Sequence, residues 1–209
     1  VQAELGSLDI LVNNAGFSQV GEVIDLERDD LRRQYETNVI APIAVTRAAL
    51  PLLRASEHPV IANVGSIVGL FTTPFAGAYC SSKAAIHSLS DALRMELQPL
   101  GIRVVTIQPG GILSSFGDHA EEGIRLPPDS PFLPVKDGIR ARAQAGQRGA
   151  TPAAKFVVPV ADGLLRDKPP AIIRGGKNST LLPLLKKVLP LERFDAMNRK
   201  IFGLDKLRP

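Results

Sequence analysis

The chain has no tryptophan, one cysteine, two tyrosines and only 5% aromatic residues among its 209 positions. Each scarcity excludes something. Cys80 alone permits no internal disulfide, so the fold rests on its core, and a reducing, cytoplasmic setting suits it. Few aromatics and no interleaving of them with basic residues argue against a nucleic-acid partner. No apolar run approaches the ~18 residues of a membrane-spanning helix. No cluster of His, Cys and acid has metal-ligand spacing, so no metal is expected. No repeats, low-complexity segment or signal peptide stand out, although the chain opens at Val1 rather than Met.

What is present is an ordinary globular composition, 44% hydrophobic and 22% charged, long enough to bury a sizeable core. The net charge of +4 is uneven. From Gly176 to Pro209 eight Lys/Arg face only Glu192, Asp195 and Asp205, which makes the tail +5 and leaves −1 for the rest. The body is neutral and the tail basic.

Leu8-Asp9-Ile10-Leu11-Val12 predicts a strand buried on both faces of a parallel sheet, ended by Asn13-Asn14-Ala15-Gly16. That tetrapeptide is either an ordinary turn or a ligand-binding loop at a strand's carboxyl end. Asp29 to about Leu53 has helical periodicity, with Asn38 inside it and Pro42 four residues later. Pro42 has no N–H to give the Asn38 carbonyl, which would be left to hold a water or simply face solvent at a kink.

Val60–Val64 is the next strand, followed by Gly65-Ser66; Ser66 is a turn residue or a hydroxyl for a substrate oxygen. A helix then runs from Tyr79 to about Leu97. Tyr79 and Lys83, four apart, lie on one helical face about a turn from each other. An ammonium so close favours the phenolate and is expected to draw the tyrosine pKa from about 10 towards neutrality, where a phenol can exchange protons with an alcohol or carbonyl oxygen. Alone, such a pair also recurs by chance. His87, in the same helix, reads as a packing or surface residue.

Ile102–Ile107 is a third strand, stopped by Pro109-Gly110-Gly111. Strand, helix, strand, helix, strand predicts an α/β fold with right-handed crossovers and a parallel sheet, its loops sharing one edge as a cleft. Residues 113–150 have no steady period and are either a substrate lid or a partly disordered linker. Thr151-Pro152 is a helix start with Thr as N-cap, and Pro159 should kink or shorten that helix. Ala171–Arg174 is a last strand. Two amphipathic helices split by Pro190 follow, with Lys and Arg opposite their apolar faces. That pattern suits a membrane surface, a partner chain or the core itself.

Asn13-Asn14-Ala15-Gly16, Asn38, Ser66, Tyr79-x-x-x-Lys83 and Pro109-Gly110-x-Ile112-x-Ser114, in this order and spacing, resemble the short-chain dehydrogenase/reductase family. The resemblance is strong over residues 1–114 and extends to 150–175. It implies a partial Rossmann-type, doubly wound domain over 1–175, with 113–150 as a substrate lid and 176–209 as a basic helical tail. It implies Tyr79 as general acid/base, Ser66 holding the substrate oxygen, and Lys83 tuning Tyr79 and contacting the nicotinamide ribose. Asn38 would anchor a proton-relay water through its carbonyl. Asn14, Ala15 and Gly16 would line the adenosine side of the cofactor; Pro109, Gly110, Ile112 and Ser114 would line the nicotinamide side, Ser114 standing where the family usually has Thr.

The implied activity is NAD(P)-dependent interconversion of a secondary alcohol and a ketone. A non-catalytic dinucleotide sensor or scaffold is the alternative. The family's glycine-rich fingerprint does not precede Leu8, so roughly 70 residues are expected upstream, and the stretch given is expected to bind dinucleotide poorly and be inactive. The region that selects NAD or NADP is part of that missing stretch. The tail resembles that of members handling steroids, retinoids or acyl lipids, which implies a hydrophobic substrate and peripheral membrane contact. Small and apolar second faces on the helices at 29–53 (Ala41, Ala44, Ala48) and 79–98 (Ala84, Ser88) suit a homodimer or homotetramer.

Overall fold

The apolar runs become strands because each is short, β-branched and closed by turn residues. The computed structural model describes residues 6–207. Its strands are β1 (Ile10–Asn13), β2 (Val60–Val64), β3 (Arg103–Pro109), β4 (Ile112–Leu113), β5 (Thr151–Pro152) and β6 (Ile172–Gly175). β1, β2, β3 and β6 form one wholly parallel sheet in the order β1-β2-β3-β6, with Ile10 opposite Val60, Ile61 opposite Val104 and Thr106 opposite Ile172. β4 and β5 make a separate two-residue parallel pair.

The helices are α1 (Arg28–Tyr35), α2 (Ala41–Arg54), α3 (Gly77–Leu97), α4 (Phe116–Glu122), α5 (Lys136–Ala143), α6 (Ala153–Leu164), α7 (Leu181–Val188) and α8 (Leu191–Ile201). Alternation along the strands divides the core into two layers. Ile61 and Val104 pack with Leu53, Leu93 and Leu97 of α2 and α3. Ala62, Val105 and Ile107 pack on the other face with Phe156, Val160 and Leu164 of α6. β2 and β3 are covered on both faces. On β1 the covering is thinner, Val12 being 47% exposed where its apolar run predicts a strand buried on both faces.

Four further expectations change. The helix read over 29–53 is interrupted by a π-helical turn, Glu36–Ile40, where the Ala41 N–H reaches back to the Glu36 carbonyl. Pro42 supplies the reason, since it offers the Asn38 carbonyl no N–H and the ladder must shift. Thr151 does not cap a helix: its N–H is spent on the Gly111 carbonyl in the β4–β5 pairing, and Pro152 takes the cap position. Pro159 lies inside α6 without ending it, at an exposed position where the bond it removes would have faced solvent.

Residues 113–150 are not a disordered linker. They hold α4 and α5, and Val135, Ile139 and Ala143 form a core with Val20, Phe75 and Phe202 of the tail. The tail itself packs back on the body: Phe194, 2% exposed, lies edge-on to Phe71 at 6.0 Å between ring centres. Among the described residues no helix is long and apolar enough to cross a membrane.

Candidate active site

The carboxyl ends of β1, β2 and β3 and the first turns of α3 meet at a cleft of about 730 Å³. Ser66, Tyr79 and Lys83 line it together, as do Asn14 and Gly16 from the loop after β1. Pro109, Gly110, Ile112 and Ser114 line it from the end of β3 onward. Ala15 is exposed and outside this lining, and Asn38 lies behind it, 2% exposed.

Asn38 holds the loop after β1 in place. Its Oδ1 accepts from the Phe17 N–H at 3.2 Å, and its Nδ2 donates to the Phe17 carbonyl at 3.0 Å and to the Ser82 hydroxyl at 3.1 Å. A second ladder runs beside it. Asn13 donates to Thr46 at 3.1 Å and to Asn63 at 2.8 Å, and Asn63 donates to Ser90 at 2.9 Å, joining β1 and β2 to the helices on one face. Gly110 is required where it stands, because a Cβ there would sit 2.2 Å from the Lys177 carbonyl.

Ser66 caps a 3₁₀ turn (Ile67–Gly69), its hydroxyl accepting from the Val68 N–H at 3.3 Å. Its own N–H donates to Nε2 of His87 at 3.3 Å. His87 is therefore a buried packing residue beneath the serine turn. Its ring fills space that only glycine leaves open: a Cβ on Gly65 would lie 2.1 Å from Nε2, and one on Gly69 2.6 Å from Cε1. Burial and the neighbouring Lys83 charge push its pKa down to about 4, so it is neutral at physiological pH.

Tyr79 and Lys83 share a helical face, with the ammonium 5.8 Å from the ring centre. The expected pKa effect is reversed. Burial pushes the Tyr79 phenol up to about 12, outweighing a side-chain hydrogen bond with Ser66 and the Arg142 charge, which pull it down. Lys83 is 4% exposed and gives its Nζ to the Val64 carbonyl at 2.7 Å; burial lowers its pKa to about 8. Removing both groups from water disfavours both charges, and for each of them burial is the largest cause of the shift. Phe116 stands 5.6 Å from the Tyr79 ring centre, against the reacting end of the cleft.

These positions belong to a known pattern. Residues 1–124 match the family of short chain dehydrogenases. The chain belongs to that family. It is similar to the short-chain dehydrogenase cctT of Talaromyces islandicus, with 33% identity over 97% of this chain and 71% of that protein. It is also similar to the NADPH-dependent 3-dehydrocapnine reductase of Ornithobacterium rhinotracheale, with 39% identity over 56% of this chain and 42% of the relative. A crystal structure of a short-chain dehydrogenase from Streptomyces avermitilis superposes with a TM-score of 0.72 at 25% identity, over 99% of this chain and 71% of that one.

In this short-chain dehydrogenase the sequence reading missed part of the wall of the cleft that holds Tyr79. Phe71, Phe194, Met197 and Ile201 make it apolar, and Arg142 makes it locally charged. The tail's apolar periodicity was the available signal for Phe194, Met197 and Ile201. Arg142 had none, since it lies in a stretch without a period. Among the described residues no group of His, Cys, Asp and Glu is placed to hold a metal.

Proposed function

We propose that the protein interconverts a secondary alcohol and a ketone on a hydrophobic substrate, with a nicotinamide dinucleotide as hydride carrier. The observation that carries this reading is the meeting of Ser66, Tyr79 and Lys83 on one cleft that Phe71, Phe194, Met197 and Ile201 also line. The cleft fits the cofactor by the chemistry of its donors: its wall carries Lys83, Arg148 and Lys177 and no carboxylate, which suits an anionic diphosphate. Asn14, Gly16, Pro109, Gly110, Ile112 and Ser114 would hold the dinucleotide, which supplies or takes up the hydride when bound. The family relative named for NADPH dependence supports a nicotinamide cofactor, while both NADP and NAD remain in the reading.

The chain's own residues then position and exchange a proton. Ser66, fixed by His87 and by its turn, hydrogen-bonds the substrate oxygen. Tyr79 gives its proton to that oxygen in the reducing direction and receives it in the oxidising one. A phenol held near 12 is protonated at neutral pH, which favours the acid role; oxidation needs the neighbouring Arg142 charge, and a bound substrate oxygen, to favour the phenolate.

The test is cofactor oxidation by the full-length protein with NADPH or NADH and a panel of hydrophobic ketones. Turnover is expected, with a loss of at least ~10²-fold in Tyr79→Phe. No oxidation of either cofactor, or unchanged rates in that variant, overturns the reading.

Homodimer or homotetramer assembly belongs to the same proposal. Ala44 and Ala48 of α2 and Ala84 and Ser88 of α3 are exposed, beside Ile40, Val45 and Leu89, themselves 51%, 47% and 37% exposed. A monomeric mass in light scattering would refute it. Peripheral membrane contact would use Leu181, Leu184, Val188 and Leu191, all more than half exposed at 52%, 52%, 63% and 57% on the tail.

A further inference from the structure

Arg142 is the one charged side chain in the cleft whose burial nothing described explains. It is 8% exposed on α5 and lines the cleft. Its only side-chain hydrogen bond among the described residues runs from Nε to the Thr73 hydroxyl, 2.6 Å away. No carboxylate of a described residue comes within the 4.0 Å of an ion pair. Glu22, a buried acid whose two oxygens bond nothing described, lies beyond ion-pair distance of it and is not its counterion. The other buried cation of the cleft is committed, Lys83 to the Val64 carbonyl, and exposed Lys177 is committed to the Arg148 carbonyl.

A guanidinium cannot shed its charge, so burying it without an anion is unfavourable until a bound anion offsets the cost. Thr73 fixes the plane of the fork through Nε and leaves the Nη1 and Nη2 donors for a planar, two-oxygen acceptor. Arg142 shares the cleft with Tyr79 and with the apolar side chains of Phe71, Phe194 and Met197, and its charge reaches the phenol. We propose that Arg142 binds a carboxylate carried by the substrate, so that the molecule reduced or oxidised at Tyr79 is an oxo or hydroxy acid with an apolar chain lying on Phe71, Phe194 and Met197. This rests on the oxidoreductase reading above and narrows its substrate class.

The probe is a series of straight-chain 4-, 5- and 6-oxodecanoates and their methyl esters, titrated calorimetrically into full-length protein saturated with NADP⁺ or NAD⁺. At least one acid should bind tenfold or more tightly than its ester. In Arg142→Met that ratio should fall to near one while the ester's affinity stays within about twofold. Arg142→Lys should keep part of the preference, and Thr73→Val should lower it without removing it; these two serve equally if Arg142→Met does not fold. Equal binding of acids and esters by the wild type, or a ratio untouched in the variants, overturns the proposal. A role confined to tuning Tyr79 would slow acid and ester turnover alike and leave the binding ratio unchanged, which also overturns it. A binding preference that persists without any cofactor oxidation supports Arg142 as the carboxylate site and counts against the oxidoreductase reading alone.

Discussion

Replacing Lys83 with methionine should make the protein more stable at neutral pH while removing the charge that the proposed chemistry uses. Lys83 is 4% exposed and burial takes its pKa from the usual 10.5 to about 8. At about 1.4 kcal/mol for each pKa step, holding it protonated in the fold costs roughly 3 kcal/mol. Methionine keeps the packing of the stem but strands the Val64 carbonyl, which Nζ reaches at 2.7 Å, and that loss offsets about 1–2 kcal/mol. The net gain expected at pH 7 is therefore about 1–2 kcal/mol.

The sign depends on pH. The unfolded chain keeps its Lys83 proton up to 10.5, whereas the folded protein begins to release it near 8. Between these values the unfolded state binds more protons, so wild-type stability rises with pH across that window. Above it both states are neutral, the advantage of methionine vanishes, and only the lost hydrogen bond remains. Urea unfolding followed by far-ultraviolet circular dichroism at pH 7 and at pH 10.5 measures the difference between the two proteins. A variant that is less stable than wild type by the same amount at both values refutes the argument, because Lys83 would then sit in the fold without electrostatic penalty.

Three more outcomes follow from the site's supports. Asn38→Ala removes three hydrogen bonds to Phe17 and Ser82 at 3.0–3.2 Å and should cost about 2–4 kcal/mol, seen in calorimetry as a Tm fall of about 5–10 °C. Gly65→Ala drives a methyl group against His87 and should destabilise by at least ~2 kcal/mol; adding His87→Ala should recover part of that, and strictly additive effects would contradict the packing account. His87, held neutral down to about 4, makes the fold lose stability as pH falls from 6.5 towards 4, since the unfolded chain takes up the proton first. In His87→Gln that part of the acid unfolding curve should flatten.

The sequence was enough for whatever depends on short-range order. The three apolar runs before residue 110, each closed by Asn, Gly or Pro, are three neighbouring parallel strands, and β2 and β3, covered by helices on both faces, have no polar face to write into their sequence. The motif residues Ser66, Tyr79 and Lys83 share a cleft because each follows a strand end or opens a helix, and all such ends in a parallel sheet lie on one edge.

Tertiary structure decided the rest. Whether Lys83 makes Tyr79 acidic is a balance between attraction and lost hydration, and burial depends on what packs around the pair, not on their spacing. The helix carrying Asn38 shifts into a π turn because Pro42 meets a real hydrogen-bond ladder, which periodicity does not report. Residues 113–150 look patternless because their apolar side chains pack on Phe75 and the distant Phe202 rather than on one another in register. Arg142 is silent in the sequence for the same reason. Only the folded chain places a guanidinium, tied to Thr73 and without a described counterion, in the same cleft as the tyrosine.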